Sequence, residues 1–144
     1  MKISDRGLEL IMSFEGLQLE AYQCQAKVWT IGYGHTKDVK EKDKISKDKA
    51  IELLLEDIEK FENYISISVH VDLKQCEFDA LVSFCFNVGK FAFKNSTLLK
   101  KLNNNQYKEA ADELLRWNKV KGFENKGLIK RRFIERDLFL EALR

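Results

Sequence analysis

Proline is absent from the 144 residues, so nothing in the chain is built to break a helix from within. Long apolar runs are missing as well. No stretch approaches the roughly 18 consecutive apolar residues that a membrane-spanning helix needs. The opening "MKISDRGLEL" carries polar and charged residues too often for the apolar centre of a signal peptide. The expectation is a protein without membrane insertion that accumulates in the cytoplasm unless another factor moves it. Cysteine is scarce: Cys24, Cys76 and Cys85 form no CxxC pair, and there are only two histidines. No zinc ligand set can be assembled from these, and neither a metal nor a cofactor is expected. If Cys76 and Cys85 share one helix, nine residues at 1.5 Å rise separate them by roughly 13 Å, too far for a disulfide. Both read as small core hydrophobes.

What the chain does contain describes a globular protein. Hydrophobic content of 44% and charged content of 33% are outside the range of disordered chains, and the length suits one domain with a substantial core. The net charge of +2 hides an asymmetry. Residues 1–72 hold 10 Lys and Arg against 14 Asp and Glu, a balance of −4, and residues 73–144 hold 15 against 9, a balance of +6. A basic half can lean on an anionic polymer or simply be a solvated helical surface. It carries no helix-turn-helix or stacking-aromatic motif, so nucleic acid is not an expected partner.

Periodicity predicts a mostly α protein with a small β part. A first helix starts at Ser4 or Asp5, with Leu8, Ile11 and Phe14 on one side and Gly16 as its stop. From Leu17 to Thr36 the pattern turns to short strands, followed by "KDVKEKDK" as a solvent-exposed loop. Ser46 can cap a long helix with Ile51, Leu54, Leu55, Ile58, Phe61 and Ile65 on its apolar face. "SISVHV" alternates briefly as a strand would, but reads rather as an irregular connection. Asp72 and Gln75 resemble a capping box opening a helix that Gly89 ends. "KFAFKN" reads as a loop and Ser96 as the cap of a short helix. A further helix is expected over 105–118, and Asn125 opens a last one through Leu128, Ile129, Phe133, Ile134, Leu138 and Leu140. A small N-terminal β-containing lobe joined by the long helix to a helical C-terminal lobe is the expected architecture, with ligands bound in a cleft.

One stretch carries candidate chemistry: "FEGLQLEAYQCQAKVWTIGYGHT", Phe14 to Thr36. Glycoside hydrolysis needs an acid to protonate the leaving oxygen and a second group to activate water or attack the sugar carbon. Glu15 suits the first role if Phe14 and the helix end keep it protonated. In an inverting enzyme the second group lies roughly 6.5–9.5 Å away. A turn after Glu15 can carry Cys24 to a facing wall, and the Thr30 hydroxyl can hold the water. The same three residues equally describe a solvated helix end, a half-buried thiol and a strand residue.

"FEGLQLEAY", "TIGYGHT", "FDALVSFCFNVG", "FKNSTLLKKLN", "RWNKVKG" and "GLIKRRFIERDLFL" resemble, in order, the phage-type lysozymes of glycoside hydrolase family 24. Those endolysins cut between N-acetylmuramic acid and N-acetylglucosamine in peptidoglycan. The resemblance covers nearly the whole chain. It implies a two-lobed, mostly α (α+β) lysozyme-like fold as a single domain over 1–144, and a catalytic set written Glu-x8-Asp/Cys-x5-Thr. Glu15 then stands as general acid, Cys24 as the group on the opposite face and Thr30 as the residue that positions water. It further implies Tyr33, Gly34, Phe86 and Ser96 along the glycan path, although core packing explains Phe86 and helix capping explains Ser96 as well. Peptidoglycan is the implied partner of a monomer, released by a holin-like pore to act on the wall.

Two positions depart from the commoner family pattern. Cys24 stands where Asp is more usual, and a thiol with an ordinary pKa of about 8.5 is only a few per cent thiolate at neutral pH. His35 and Lys27 are the helpers suggested by sequence proximity, with a salt-bridged structural imidazole as the other role for His35. Lys27 stands where Gly is usual, and a positive φ there strains a lysine. These departures define the alternative reading, a catalytically weak or silent peptidoglycan-binding module. "IKRR", from Ile129 to Arg132, reads either as a partner for acids or wall anions or as a solvated helix face.

Overall fold

The computed structural model describes every residue from Met1 to Arg144. Helix α1 spans Asp5–Glu15. The Ser4 hydroxyl accepts the Gly7 amide proton at 3.2 Å, satisfying one of the orphan donors at a helix start. Gly16, at φ 71°, ends the helix in the left-handed conformation that glycine adopts without a Cβ penalty. Strands β1 (Gln18–Gln23) and β2 (Trp29–Gly32) then pair antiparallel, with Tyr22 opposite Thr30 and Gln23 opposite Trp29. "KDVKEKDK" is the exposed loop that its charge density predicts.

Helix α2 covers Lys47–Ser68, and Ser46 Oγ caps it by accepting the Lys49 amide at 3.1 Å. It runs further than expected, taking in Ser66 to Ser68, so the first half of "SISVHV" is helical. Ser66 Oγ donates to the Glu62 carbonyl one turn back, at 3.0 Å, which lets a serine stay inside a helix. Asn103 closes the far end: its Nδ2 donates to the Ser68 carbonyl at 3.0 Å and its Oδ1 accepts the His70 amide at 2.8 Å.

The chain divides into two compact units, Glu9–Lys60 on one hand and Met1–Leu8 with Phe61–Arg144 on the other. Helices α1 and α2 each contribute residues to both. The β-containing unit is built on Ile11, Ile31, Ala50, Leu54 and Ile58, all at most 2% exposed. Leu55, expected on the apolar face of α2, is 44% exposed; the buried row of α2 is Ala50, Leu54, Ile58, Phe61 and Ile65, at helical spacing.

The helical unit holds α3 (Gln75–Val88), α4 (Lys90–Lys94), α5 (Thr97–Asn103), α6 (Tyr107–Glu113) and α7 (Lys126–Leu140). A 3-10 turn at Leu114–Arg116 and a two-stranded hairpin, β3 (Lys119–Val120) with β4 (Phe123–Glu124), separate α6 from α7. Three expectations need correction here. The start of α3 is closed by the Lys74 amide donating to Glu77 Oε1 at 2.7 Å, not by Asp72 and Gln75. "KFAFKN" is mostly the helix α4, because Phe93 is drawn into the core against Tyr64 and Phe84, at ring-centroid distances of 6.2 and 6.3 Å. The helix expected over 105–118 is regular only to Glu113. Asn125 does open α7, its Oδ1 accepting the Leu128 amide at 3.0 Å.

The largest departure lies on α7. Phe133 is 49% exposed, whereas Arg131, Arg132 and Glu135 are buried, so the two arginines of "IKRR" are not on a solvated face, while Lys130 is. Glu135 is completely buried. Its Oε2 accepts from Ser83 Oγ at 2.6 Å and Arg131 Nε at 3.2 Å, and its Oε1 accepts from Arg132 Nη1. Arg132 also donates to Asn87 Oδ1 and, at 2.8 Å, to the Trp117 carbonyl, while its guanidinium lies 5.0 Å from the Phe84 ring centre. Such a cluster is tolerable only when every charge is answered. Glu135→Ala is therefore expected to destabilise the protein by about 3–5 kcal/mol, the cost of leaving buried cations unpaired, as read from urea unfolding. Of the cysteines, Cys85 is buried as expected, but Cys76 is only half-buried on α3.

Candidate active site

Five of the seven candidate site residues fall in the β-containing unit: Glu15, Cys24, Thr30, Tyr33 and Gly34. Glu15 is the last residue of α1 and is half-buried. Its approach to the next segment is close. A Cβ built on Gly34, whose φ is 78°, would lie 4.0 Å from Glu15 Oε2, so the carboxyl group stands near the segment that carries Gly34.

That segment belongs to a tight loop. Ile31 and His35 exchange both main-chain hydrogen bonds at 2.9 Å, leaving Gly32, Tyr33 and Gly34 to make the reversal. Gly32 and Gly34 both have positive φ, which explains the GYG spacing, and Tyr33 is tucked in at 4% exposure. His35 pins the loop to α2: Nδ1 meets Asp57 Oδ2 at 2.8 Å and Nε2 meets the Lys37 carbonyl at 2.9 Å. The structural role for His35, held against Asp57, is the one observed, and Asp57 carries no signal in the sequence beyond lying on α2.

Cys24 follows β1 and opens the turn into β2. Its amide donates to the Val28 carbonyl at 3.0 Å, and its carbonyl accepts the Lys27 amide at 2.8 Å. Lys27 has φ 61°, the left-handed conformation that is costly for a lysine. The turn is kept and the lysine bears the strain. Lys27→Gly is expected to raise stability by about 1 kcal/mol, since the left-handed conformation costs an L-residue roughly 1–2 kcal/mol and glycine's extra unfolded-state entropy offsets part of the gain; thermal unfolding measures this.

The electrostatics of the turn shift the Cys24 thiol toward ionisation. Hydrogen bonds from the Val28 amide, then from the Ala26 amide, hold the Cys24 thiol below its ordinary pKa, and the Thr30 hydroxyl adds to the effect. Thr30, 4% exposed on β2, donates its hydroxyl proton to the Val28 carbonyl at 3.0 Å. One hydroxyl has a single proton to give, so the same group can serve either the carbonyl or the sulfur. The help foreseen from His35 comes from main-chain amides instead, a feature that no side-chain pattern reveals.

The chain matches the phage lysozyme family over residues 12–135. It belongs to that family. Among the phage lysozymes and endolysins it is 48% identical over 143 residues to the endolysin of Bacillus phage B103, covering 97% of this chain and 54% of that one. It is 44% identical to the endolysin of Acyrthosiphon pisum secondary endosymbiont phage 1, covering 99% of this chain and 100% of the relative. The chain thus spans about half the length of the Bacillus phage protein and the full length of the other. In structure it is similar to the muramidase domain of SpmX from Asticaccaulis excentricus, with a TM-score of 0.92, 41% identity and coverage of 96% and 97% of the two chains. The mostly α lysozyme fold with its small β part follows from these likenesses.

Phe86 and Ser96 lie in the helical unit. Phe86 is half-buried on α3 and meets Phe61 edge-on, with ring centroids 5.5 Å apart. Ser96 Oγ donates to the Phe93 carbonyl at 2.7 Å and accepts the Leu99 amide at 3.1 Å, which is the work of a helix cap. Sequence reasoning left the Arg131, Arg132 and Glu135 cluster undecided, although its i,i+3 and i,i+4 spacing was the available signal.

Proposed function

We propose that this chain is a peptidoglycan muramidase. It hydrolyses the β-1,4 bond between N-acetylmuramic acid and N-acetylglucosamine, as a single lysozyme-like domain and a monomer. The match to the phage lysozyme family over residues 12–135 carries the reading, and the Cys24 turn, which lowers the thiol's pKa in the same unit as Glu15, supports it. Glu15 acts as general acid, giving its proton to the leaving glycosidic oxygen as the bond to the sugar carbon breaks. Cys24, as thiolate, takes a proton from a water held by Thr30 as that water bonds to the sugar carbon, or attacks the carbon itself to form a covalent glycosyl-enzyme that water then hydrolyses. Tyr33 and Gly34, in the same unit as Glu15, are assigned to glycan contact. Relatives include proteins named SAR-endolysin, among them that of Enterobacteria phage P21 at 37% identity over 127 residues. No helix of the present chain is long and apolar enough to cross a membrane, and we assign its passage from the cytoplasm to the wall to a holin-like pore.

The test is turbidity loss on purified cell walls, followed by mass spectrometry of the released fragments. Reducing ends on N-acetylmuramic acid support the muramidase. Reducing ends on N-acetylglucosamine reject the bond assignment. Walls that are bound but never cleaved identify the silent binding module instead.

A further inference from the structure

The hairpin between α6 and α7 has no part in the chemistry above, and its sequence, "KVKGFEN" from Lys119 to Asn125, is unusual for a solvent-exposed loop. Val120 and Phe123 are paired across the ribbon, so their side chains share one face. They are 48% and 78% exposed. Lys121 and Gly122 make the reversal with φ of 51° and 85°, the two positive values that a tight two-residue hairpin turn demands. The Asn125 amide continues the ribbon by donating to the Asn118 carbonyl at 2.8 Å, so the apolar pair is presented on a hydrogen-bonded finger rather than a loose loop. Lys119, Lys121, Lys126 and Lys130 are all exposed: Lys121 sits in the turn beside the pair, Lys119 opposite Glu124 on the other face of the ribbon, and Lys126 and Lys130 one turn apart at the start of α7. Glu124 is the only acid between Asn118 and Ile134.

We propose that this finger docks the protein on an anionic phospholipid surface, with Val120 and Phe123 below the headgroups and the four lysines at phosphate level. The charge selects an anionic partner. The exposed apolar pair selects among anionic partners: a hydrated glycan strand offers no apolar phase, whereas a bilayer interface takes apolar tips while lysine stems reach back to the phosphates. Two apolar side chains are too few for anchoring, so the binding is reversible and weakens with salt.

The 144-residue chain is tested by co-sedimentation with phosphatidylcholine vesicles, with and without phosphatidylglycerol. Binding is expected only with the anionic lipid, and Lys121→Gln with Lys126→Gln should weaken it about fivefold for each lysine removed. Phe123→Trp should add a blue-shifted fluorescence component on anionic vesicles. Absence of vesicle binding, equal binding to both lipids, or a tryptophan that stays solvent-exposed overturns the proposal. The lysine variants should lyse purified walls like the wild type. If they lose lysis in proportion to charge, the finger grips substrate and membrane docking is rejected.

Discussion

Glu15→Gln is expected to remove lysis of purified walls by roughly 10²–10⁴-fold, the usual worth of a general acid, while leaving the protein folded and able to bind walls. Glutamine keeps the shape of the side chain but has no proton to deliver to a leaving oxygen. Shape matters here because the carboxyl group stands near Gly34. Circular dichroism and wall sedimentation control for folding and binding, so loss of lysis alone isolates the chemical step. Retention of more than about a tenth of wild-type lysis would reject the assignment of Glu15 as acid.

The β-containing unit was legible in the sequence because its signals are local. Gly16 and Gly34 stand where the chain needs positive φ, the alternation around Tyr22 and Ile31 marks strands, and Ser46 caps α2 as its type predicts. Helix starts at Ser96 and Asn125 were readable for the same reason. What escaped depends on partners distant in sequence. The α4 helix owes its existence to the aromatic contacts of Phe93, and a five-residue helix has no periodicity to detect. The buried arginines of α7 are answered by Glu135 on their own helix and by Ser83 and Asn87 on α3. Arginine and glutamate at helical spacing look the same whether solvated or buried. The lysine at position 27 was readable as a strained turn, but the consequence of that turn was not. It points amides at Cys24, and backbone dipoles leave no trace in residue types.

Cys24→Ser should cripple lysis, by roughly 10²-fold or more if Cys24 acts as base or nucleophile, and Cys24→Asp should keep or raise it. Serine preserves the size and the turn but ionises far less readily than a thiol, so the Val28 and Ala26 amides have no anion to stabilise. Aspartate is ionised at neutral pH without their help. The pH dependence follows from the same amides: they favour the thiolate, so Cys24 should react with iodoacetamide at a lower pH than a free cysteine does. The other two thiols shift the opposite way. Burial pushes the Cys85 thiol up to about 12 and raises that of Cys76. Cys85 should resist alkylation through the neutral range, and Cys76, half-buried, should react more slowly than Cys24. Mass spectrometry of the alkylated peptides orders the three thiols directly, and lysis should fall in step with modification at Cys24. If Cys24→Ser and the protein alkylated at Cys24 both lyse walls like the wild type, the thiol has no catalytic part. Glu15 and a water on Thr30 would then have to carry the reaction alone.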